Sequence, residues 1–276
     1  MAKEYAVRDG CFRCNTFSKI TNMKRKENDV VKLESVWFSY DSEPTLEDVN
    51  LCVKQLDFLS IIGPNGGGKT TLLKLLLGLI QPKRGNIQVL GVKPEHSRHQ
   101  IGYVPQYTNV DPHFPLSVLE VTLMGRLGRN PLGKKYNAKD HEIATDALQQ
   151  VDLYELRNRP IGKISRGQLQ RAFIARALTV QPQLLLLDEP SASVDNTVTQ
   201  HFYKLLRKLN KHITIIIVSH DIGVVSRYAK TIACVNRKLV SHDDNQITQE
   251  MLAEAYQCPV DIIAHGVPHR VFAQHK

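Results

Sequence analysis

The chain has 276 residues, 42% hydrophobic and 23% charged, which suits a globular protein of one large domain or two small ones. Its longest apolar runs, such as Leu184–Leu187 and Ile215–Val218, fall far short of the roughly 18 residues that span a bilayer, and its first residues lack a signal peptide's apolar segment. The net charge is +9, and residues 1–28 hold seven Lys/Arg against three acids, so much of the excess reads as a solvated tail rather than a nucleic-acid or membrane-binding face.

Residues 1–29 read as a disordered basic leader. Its Cys11-x-x-Cys14 lacks the second half of a zinc site, and five scattered cysteines suit a reducing compartment. Residues 30–240 read as the folded body and 241–276 as a C-terminal tail. Strand-like segments come first, at Val31–Tyr40, Leu46–Val53 and Phe58–Ile62; the first two alternate as in an antiparallel pair. A glycine-rich loop follows and leads into a leucine-rich helix from Thr71. Short strands are expected at 85–91 and Ile101–Val104, then a proline-broken loop over 106–115. Apolar spacing predicts helices over Leu116–Leu127, Lys139–Leu156 and Gln168–Val180, a helical subdomain covering about 107–180. Leu184–Leu187 and Ile213–Val218 are continuous apolar runs, the signature of parallel strands covered on both faces. Helices at Val198–Leu209 and Ile222–Ala229 complete an α/β pattern with a mostly parallel sheet.

The loop reads Gly63-Pro64-Asn65-Gly66-Gly67-Gly68-Lys69-Thr70-Thr71. This is G-x-x-x-x-G-K-[ST] between an apolar strand and a helix, the context in which the pattern binds phosphate. Glycines let successive N–H groups turn toward phosphate oxygens, and the helix start adds its positive end. Lys69 can reach the β- and γ-phosphates, and the Thr70 hydroxyl can ligate Mg²⁺. Asp188 and Glu189 follow a buried strand, where ligands of open α/β sheets sit. Asp188 there can hold Mg²⁺, leaving Glu189 as general base for a water. Ser219-His220 ends the next strand and could face the same phosphates. Gln106, after another strand, offers an amide oxygen to Mg²⁺ or water. Ser165 is a plausible N-cap of the helix beginning near Gln168. Its start is a second phosphate-suited helix end, which points to a nucleotide held by another subunit.

In this order the motifs resemble those of the ATP-binding-cassette ATPases, from about Val31 to about Val240. The resemblance implies a P-loop ATPase core with a mostly parallel sheet, an antiparallel β subdomain and an α-helical subdomain. It implies that Tyr40 stacks on adenine and that residues 63–71 form the Walker A loop. Gln106 becomes the Q-loop residue, Ser165, Gly167 and Gln168 the signature motif, Asp188 and Glu189 the Walker B pair. Asp195, within Ser191–Asp195, becomes the D-loop aspartate and His220 the H-loop switch. The cofactor implied is Mg²⁺ with ATP. The chain departs from the family's Leu-Ser-Gly-Gly-Gln at Ile164 and at Arg166, which replaces a glycine.

A finer resemblance, to the ATPases of manganese, zinc and iron importers, covers Val110–Pro115 and Leu123–Arg126 and the tail with Cys258, His265 and His269. It implies a homodimer that energises an integral membrane permease served by a separate solute-binding protein, on the cytoplasmic face of the inner membrane, without nucleic acid. The alternative is a soluble cassette ATPase acting on DNA, ribosomes or Fe–S assembly. Gly266 and Pro268 argue against a helix in the tail, which is expected to be irregular.

Overall fold

The structure is a computed structural model; it describes residues 29–106, 111, 114–129, 135–190, 196–220, 223, 227–242, 260–265 and 267–272. Strand β1 (Asp29–Phe38) pairs antiparallel with β2 (Leu46–Lys54). The chain then runs through β3 (Phe58–Ile62) and the glycine loop into helix α1 (Lys69–Leu76). β4 (Arg84–Val89) returns antiparallel to the other edge of β1. A short helix α2 (Pro94–Ser97) and β5 (Ile101–Val104) follow. Three helices come next, α3 (Val118–Leu123), α4 (Ala138–Gln150) and α5 (Arg166–Leu178). The chain closes its main sheet with β6 (Leu184–Asp188), α6 (Asn196–Leu209), β7 (Thr214–Val218), β8 (Thr231–Asn236) and β9 (Lys238–His242). A separate antiparallel hairpin, β10 (Val260–His265) and β11 (Val267–Phe272), lies near the end of the chain.

The main sheet has the order β5-β6-β7-β3-β8-β9, parallel except for the β8–β9 pair. Period-two alternation splits its buried strands between two cores. Leu185, Leu187, Ile215, Ile217 and Phe58 join the cluster that includes residues of α3, α4, α5 and α6. Leu184, Leu186, Ile216, Val218, Leu59 and Ile61 join α1 and the three-stranded sheet. Leu184–Leu187 and Ile215–Val218 are therefore apolar at every position, because neighbouring residues meet different layers. The helical segment packs on the sheet through one continuous cluster, with α5 at its base.

Several boundaries differ from the sequence expectation. The expected helix over Leu116–Leu127 is α-helical to Leu123 and then tightens to a 3-10 segment, Met124–Arg129. There Gly125 lies so close to the Arg176 carbonyl and the Thr179 hydroxyl that a side chain has no space. The buried Arg126 guanidinium donates to Asp140 Oδ1 at 2.9 Å and to the Thr179 carbonyl at 2.9 Å. The expected helix over Lys139–Leu156 stops at Gln150, and Tyr154–Leu156 is a separate 3-10 turn. Asp152, with φ 55°, breaks the helical path between them. Half of the helix expected at Ile222–Ala229 lies outside the described residues; of those described, 223, 227 and 228 are helical. Where it is described, the tail is not irregular: strand β9 reaches His242, and β10 pairs with β11 in a register that sets His269 opposite Ile263 and His265 opposite Val267. Cys258 is outside the described residues.

Candidate functional site

The parallel register brings four strand ends to one edge. Ile61 pairs with Val218, Asp188 with Val218, and Val104 with Leu187. The residues following β3, β5, β6 and β7 therefore open on the same side: the glycine loop, Gln106, Glu189 and His220. This is where open α/β sheets present ligands.

The loop has positive φ at Gly63, Gly66 and Gly68. At Gly63 any Cβ would collide with the Val235 carbonyl, and at Gly67 it would meet the same oxygen at 2.8 Å. Gly68, with φ 100°, is the N-cap of α1 and offers no side-chain cap. The first N–H groups of α1 are thus left for a ligand rather than for a neighbouring side chain. Thr71, Leu72, Leu73, Leu75 and Leu76 are buried, so α1 is pinned in the core while Thr70 stays exposed.

Lys69 is buried and folds over the loop, donating to the carbonyls of Gly63 at 3.0 Å and Pro64 at 2.9 Å. Its Nζ is 3.6 Å from Glu189 Oε1. Glu189 also accepts from Gln106 Nε2 at 2.6 Å and lies 3.8 Å from His220 Nδ1. Glu189 has φ 41°, an uncommon region for a non-glycine residue and a kind of strain that gathers at functional sites. Its N–H still reaches the Val218 carbonyl at 3.0 Å, so the kink turns the side chain without unpairing the backbone. Asp188 is almost fully buried and accepts from the Thr70 hydroxyl at 3.5 Å. Burial pushes its carboxyl above the usual range. The Thr70 contact pulls the other way, and neighbouring Glu189 adds a further rise. Tyr103 is raised as well, by burial and then by the charge of Asp188.

Tyr40 stands over half exposed, edge-on to Phe38 with centroids 4.9 Å apart. Lys74 Nζ lies 5.9 Å from the Tyr40 ring centroid, a neighbour that the sequence pattern did not announce.

The second helix start is built differently. Ser165 caps α5: its hydroxyl accepts from the Gln168 N–H at 3.3 Å, and the Gln168 side chain accepts from the Ser165 N–H at 2.9 Å. This reciprocal box consumes two donors. Gly167 faces α6, where an added Cβ would meet Val198 at 3.0 Å. Arg166 and Gly167 border an open groove of about 710 Å³, also lined by Arg171, Lys204 and Lys208. The hydrogen bonds between Ser165 and Gln168 at this helix start stay within α5 and its cap and do not run to the glycine loop. Asp195 and residues 191–194 lie outside the described residues, as do Val110, Pro112 and His113.

Two residues against the loop escaped the sequence reading. Val235 presses its carbonyl on Gly63 and Gly67, and Arg237 donates its N–H to the Gly67 carbonyl at 3.1 Å. The available signal was the apolar run Thr231–Val235 followed by Asn236-Arg237-Lys238, a strand and tight turn.

Comparisons with known proteins agree with this geometry. The family model described as ABC transporter matches residues 46–192. A Chlamydia trachomatis protein described as a "Probable metal transport system ATP-binding protein" is 40% identical over 82% of this chain and 98% of its own. The manganese transport system ATP-binding protein MntB of Listeria monocytogenes is 36% identical over 86% of this chain and all of its own. The zinc uptake system ATP-binding protein ZurA of the same species is also 36% identical, over 82% and 90%. Among solved structures, an inward-facing ABC transporter of metal-chelate type superimposes with a TM-score of 0.78 at 28% identity, covering 90% of this chain and 98% of that one. A dimeric bacterial ABC transporter cassette gives 0.66 at 28% identity, over 79% and 100%. With its phosphate loop, strand-end carboxylates and three-part α/β architecture, this chain belongs to the ABC transporter family, as an ATP-hydrolysing, nucleotide-binding subunit.

Proposed function

We propose that this chain powers the import of a divalent metal ion, manganese, zinc or iron, through a separate membrane permease. The observation that carries the hydrolytic part is the convergence on Glu189 of Lys69, Gln106 and His220, beside the Asp188–Thr70 pair. The metal cargo rests on the relatives whose printed names specify metal, manganese and zinc transport.

Mg²⁺ fits the donors present. Asp188 and Thr70 supply oxygens already within 3.5 Å of each other, and Gln106, whose amide N–H donates to Glu189, has a side-chain oxygen as a further donor atom for the ion. Hard oxygen donors of this kind suit the ion, which usually keeps waters and phosphate oxygens in its remaining positions. When bound, it would neutralise charge on the β- and γ-phosphates.

The protein's own groups do the rest. Lys69 exchanges the carbonyls of Gly63 and Pro64 for phosphate oxygens, and the uncapped start of α1 supplies N–H donors. Leaving Glu189, Lys69 frees one carboxylate oxygen. Glu189 takes a proton from water, whose oxygen bonds to the γ-phosphorus as the bond to the bridging oxygen of ADP breaks. Gln106 and His220 hold the carboxylate in line. Tyr40 supports the adenine. Ser165, Gly167 and Gln168 close on the phosphates of a nucleotide held by a second copy, with Asp195 at the same interface. Two such copies, joined to an integral permease and fed by a solute-binding protein, would sit peripherally on the cytoplasmic face of the inner membrane. Among the described residues no helix is long and apolar enough to cross a membrane.

Cells lacking the gene should take up radiolabelled manganese or zinc more slowly. Wild-type protein should restore uptake, and Lys69→Ala should not. Equal uptake with and without the gene, for manganese, zinc and iron alike, would remove the metal reading.

A further inference from the structure

The turn between β8 and β9 touches three parts of the nucleotide site at once. Arg237 sits at its apex with φ 57°. Its N–H donates to the Gly67 carbonyl in the phosphate loop at 3.1 Å. Its carbonyl accepts from the Glu47 N–H at 2.8 Å, at the start of β2. Its guanidinium meets Glu43 Oε2 at 3.2 Å. Glu43 belongs to the connection over residues 39–45, and that connection begins beside Tyr40.

The phosphate loop and the aromatic platform lie in different sheets. β3, which leads into the loop, is in the main sheet, whereas β1 and β2, which flank Tyr40, are in the antiparallel one. A nucleotide spanning both needs a fixed separation between them, because misplacing one end of a ligand weakens the other end's contacts. The Arg237 backbone ties the loop to the start of β2 through Gly67 and Glu47, and its side chain reaches past β2 to Glu43 in the connection that carries Tyr40.

We infer that Arg237 is a positioning residue for nucleotide: its ion pair with Glu43 sets the Tyr40 platform at the distance at which adenine and phosphates are held together. The inference rests on the reading of Tyr40 as the adenine support. The ion pair is exposed, with side chains 55% and 82% accessible, so its effect is modest. Pairs of this kind correspond to about a two- to fivefold change in an equilibrium constant. Charge reversal acts more strongly, because Glu43 would then face a like charge.

The test uses the full chain, two probes and equilibrium titration. ATP reports both ends of the site; inorganic triphosphate reports the loop alone. Arg237→Gln and Glu43→Gln are expected to weaken ATP about two- to fivefold and to leave triphosphate unchanged. Arg237→Glu is expected to weaken ATP about tenfold, and adding Glu43→Arg to restore it, a rescue that a general loss of structure would not show. Equal weakening of ATP and triphosphate, or no weakening of ATP, would overturn the inference. Tyr40→Ala separates the underlying reading: it should weaken ATP and spare triphosphate. If Tyr40→Ala leaves ATP unchanged, the platform itself is wrong. If Tyr40→Ala weakens ATP while the Arg237 variants do not, only the role of Arg237 fails.

Discussion

Glu189 and Asp188 are neighbours in sequence with opposite surroundings. Asp188 is the last residue of a buried strand; Glu189 is turned by its φ of 41° into a ring of Lys69, Gln106 and His220. Replacing Glu189 with Gln keeps the size and removes the base. ATP binding should persist while turnover falls by about 10²–10⁴-fold, measured as phosphate release from purified protein. Asp188→Asn tests the opposite property. Burial raises the Asp188 carboxyl, so its ionised form costs folding stability. That contribution is fully favourable below the ordinary carboxylate range and is lost as pH rises through the raised value. At neutral pH, without nucleotide, Asp188→Asn should therefore melt higher than wild type, with the gap closing as pH is lowered. The same variant should hydrolyse ATP about 10–100-fold more slowly. A lower melting temperature at pH 7 would contradict the burial argument. Both carboxylates were legible from four leucines running into Asp-Glu-Pro. The kink at Glu189 was not, because nothing in Asp188-Glu189-Pro190 announces a positive φ.

Among the elements, the strands of the main sheet were easiest to foresee. Leu184–Leu187 and Ile215–Val218 are apolar at every position, and only a sheet covered on both faces asks for that. Helix ends were harder. Leu127 and Leu156 continue the apolar spacing of their helices, yet Gly125 and Asp152 end the α-helical path first. The β8–β9 turn at Asn236-Arg237-Lys238 lacked any glycine or proline signal of a tight turn, and in the tail Gly266 and Pro268 were read only as arguments against a helix, so both strand pairs passed unread. The Arg126–Asp140 pair was invisible for another reason, since its partners belong to different elements. Asp140 serves twice: it accepts from Arg126 and also closes the capping box with Asn137 at the start of α4. Arg126→Ala removes the charge partner of a buried carboxylate that keeps its capping contact with Asn137, and should destabilise the protein by about 3 kcal/mol in urea unfolding. Asp140→Asn keeps a side-chain acceptor for the Asn137 N–H and should cost less. A loss of less than about 1 kcal/mol in Arg126→Ala would show that the pair is not a main support of this segment.

For the whole molecule, two helix starts bear on one chemistry. The start of α1 is uncapped and follows the phosphate loop; the start of α5 is capped by Ser165 and opens on a groove with basic sides. If the second serves a nucleotide on another copy, Glu189→Gln with ATP should elute as a dimer in size-exclusion chromatography. Adding Ser165→Arg should return it to monomer with ATP still bound. A monomer at high protein concentration in the first experiment would argue against a sandwich formed without the permease. The contact of Val235 with Gly63 and Gly67 carries a different lesson, about inheritance rather than catalysis. The two partners are encoded at distant points of the gene, yet the carbonyl at 235 dictates which residues positions 63 and 67 can hold. A hybrid gene whose junction falls between them joins one ancestor's loop to the other ancestor's turn. Such hybrids with a 36%-identical relative should bind ATP only where the two parents share the same backbone path through 235–237. Junctions placed before residue 39 or after residue 242 leave the loop, Glu43 and the 235–237 turn from a single parent and should be tolerated.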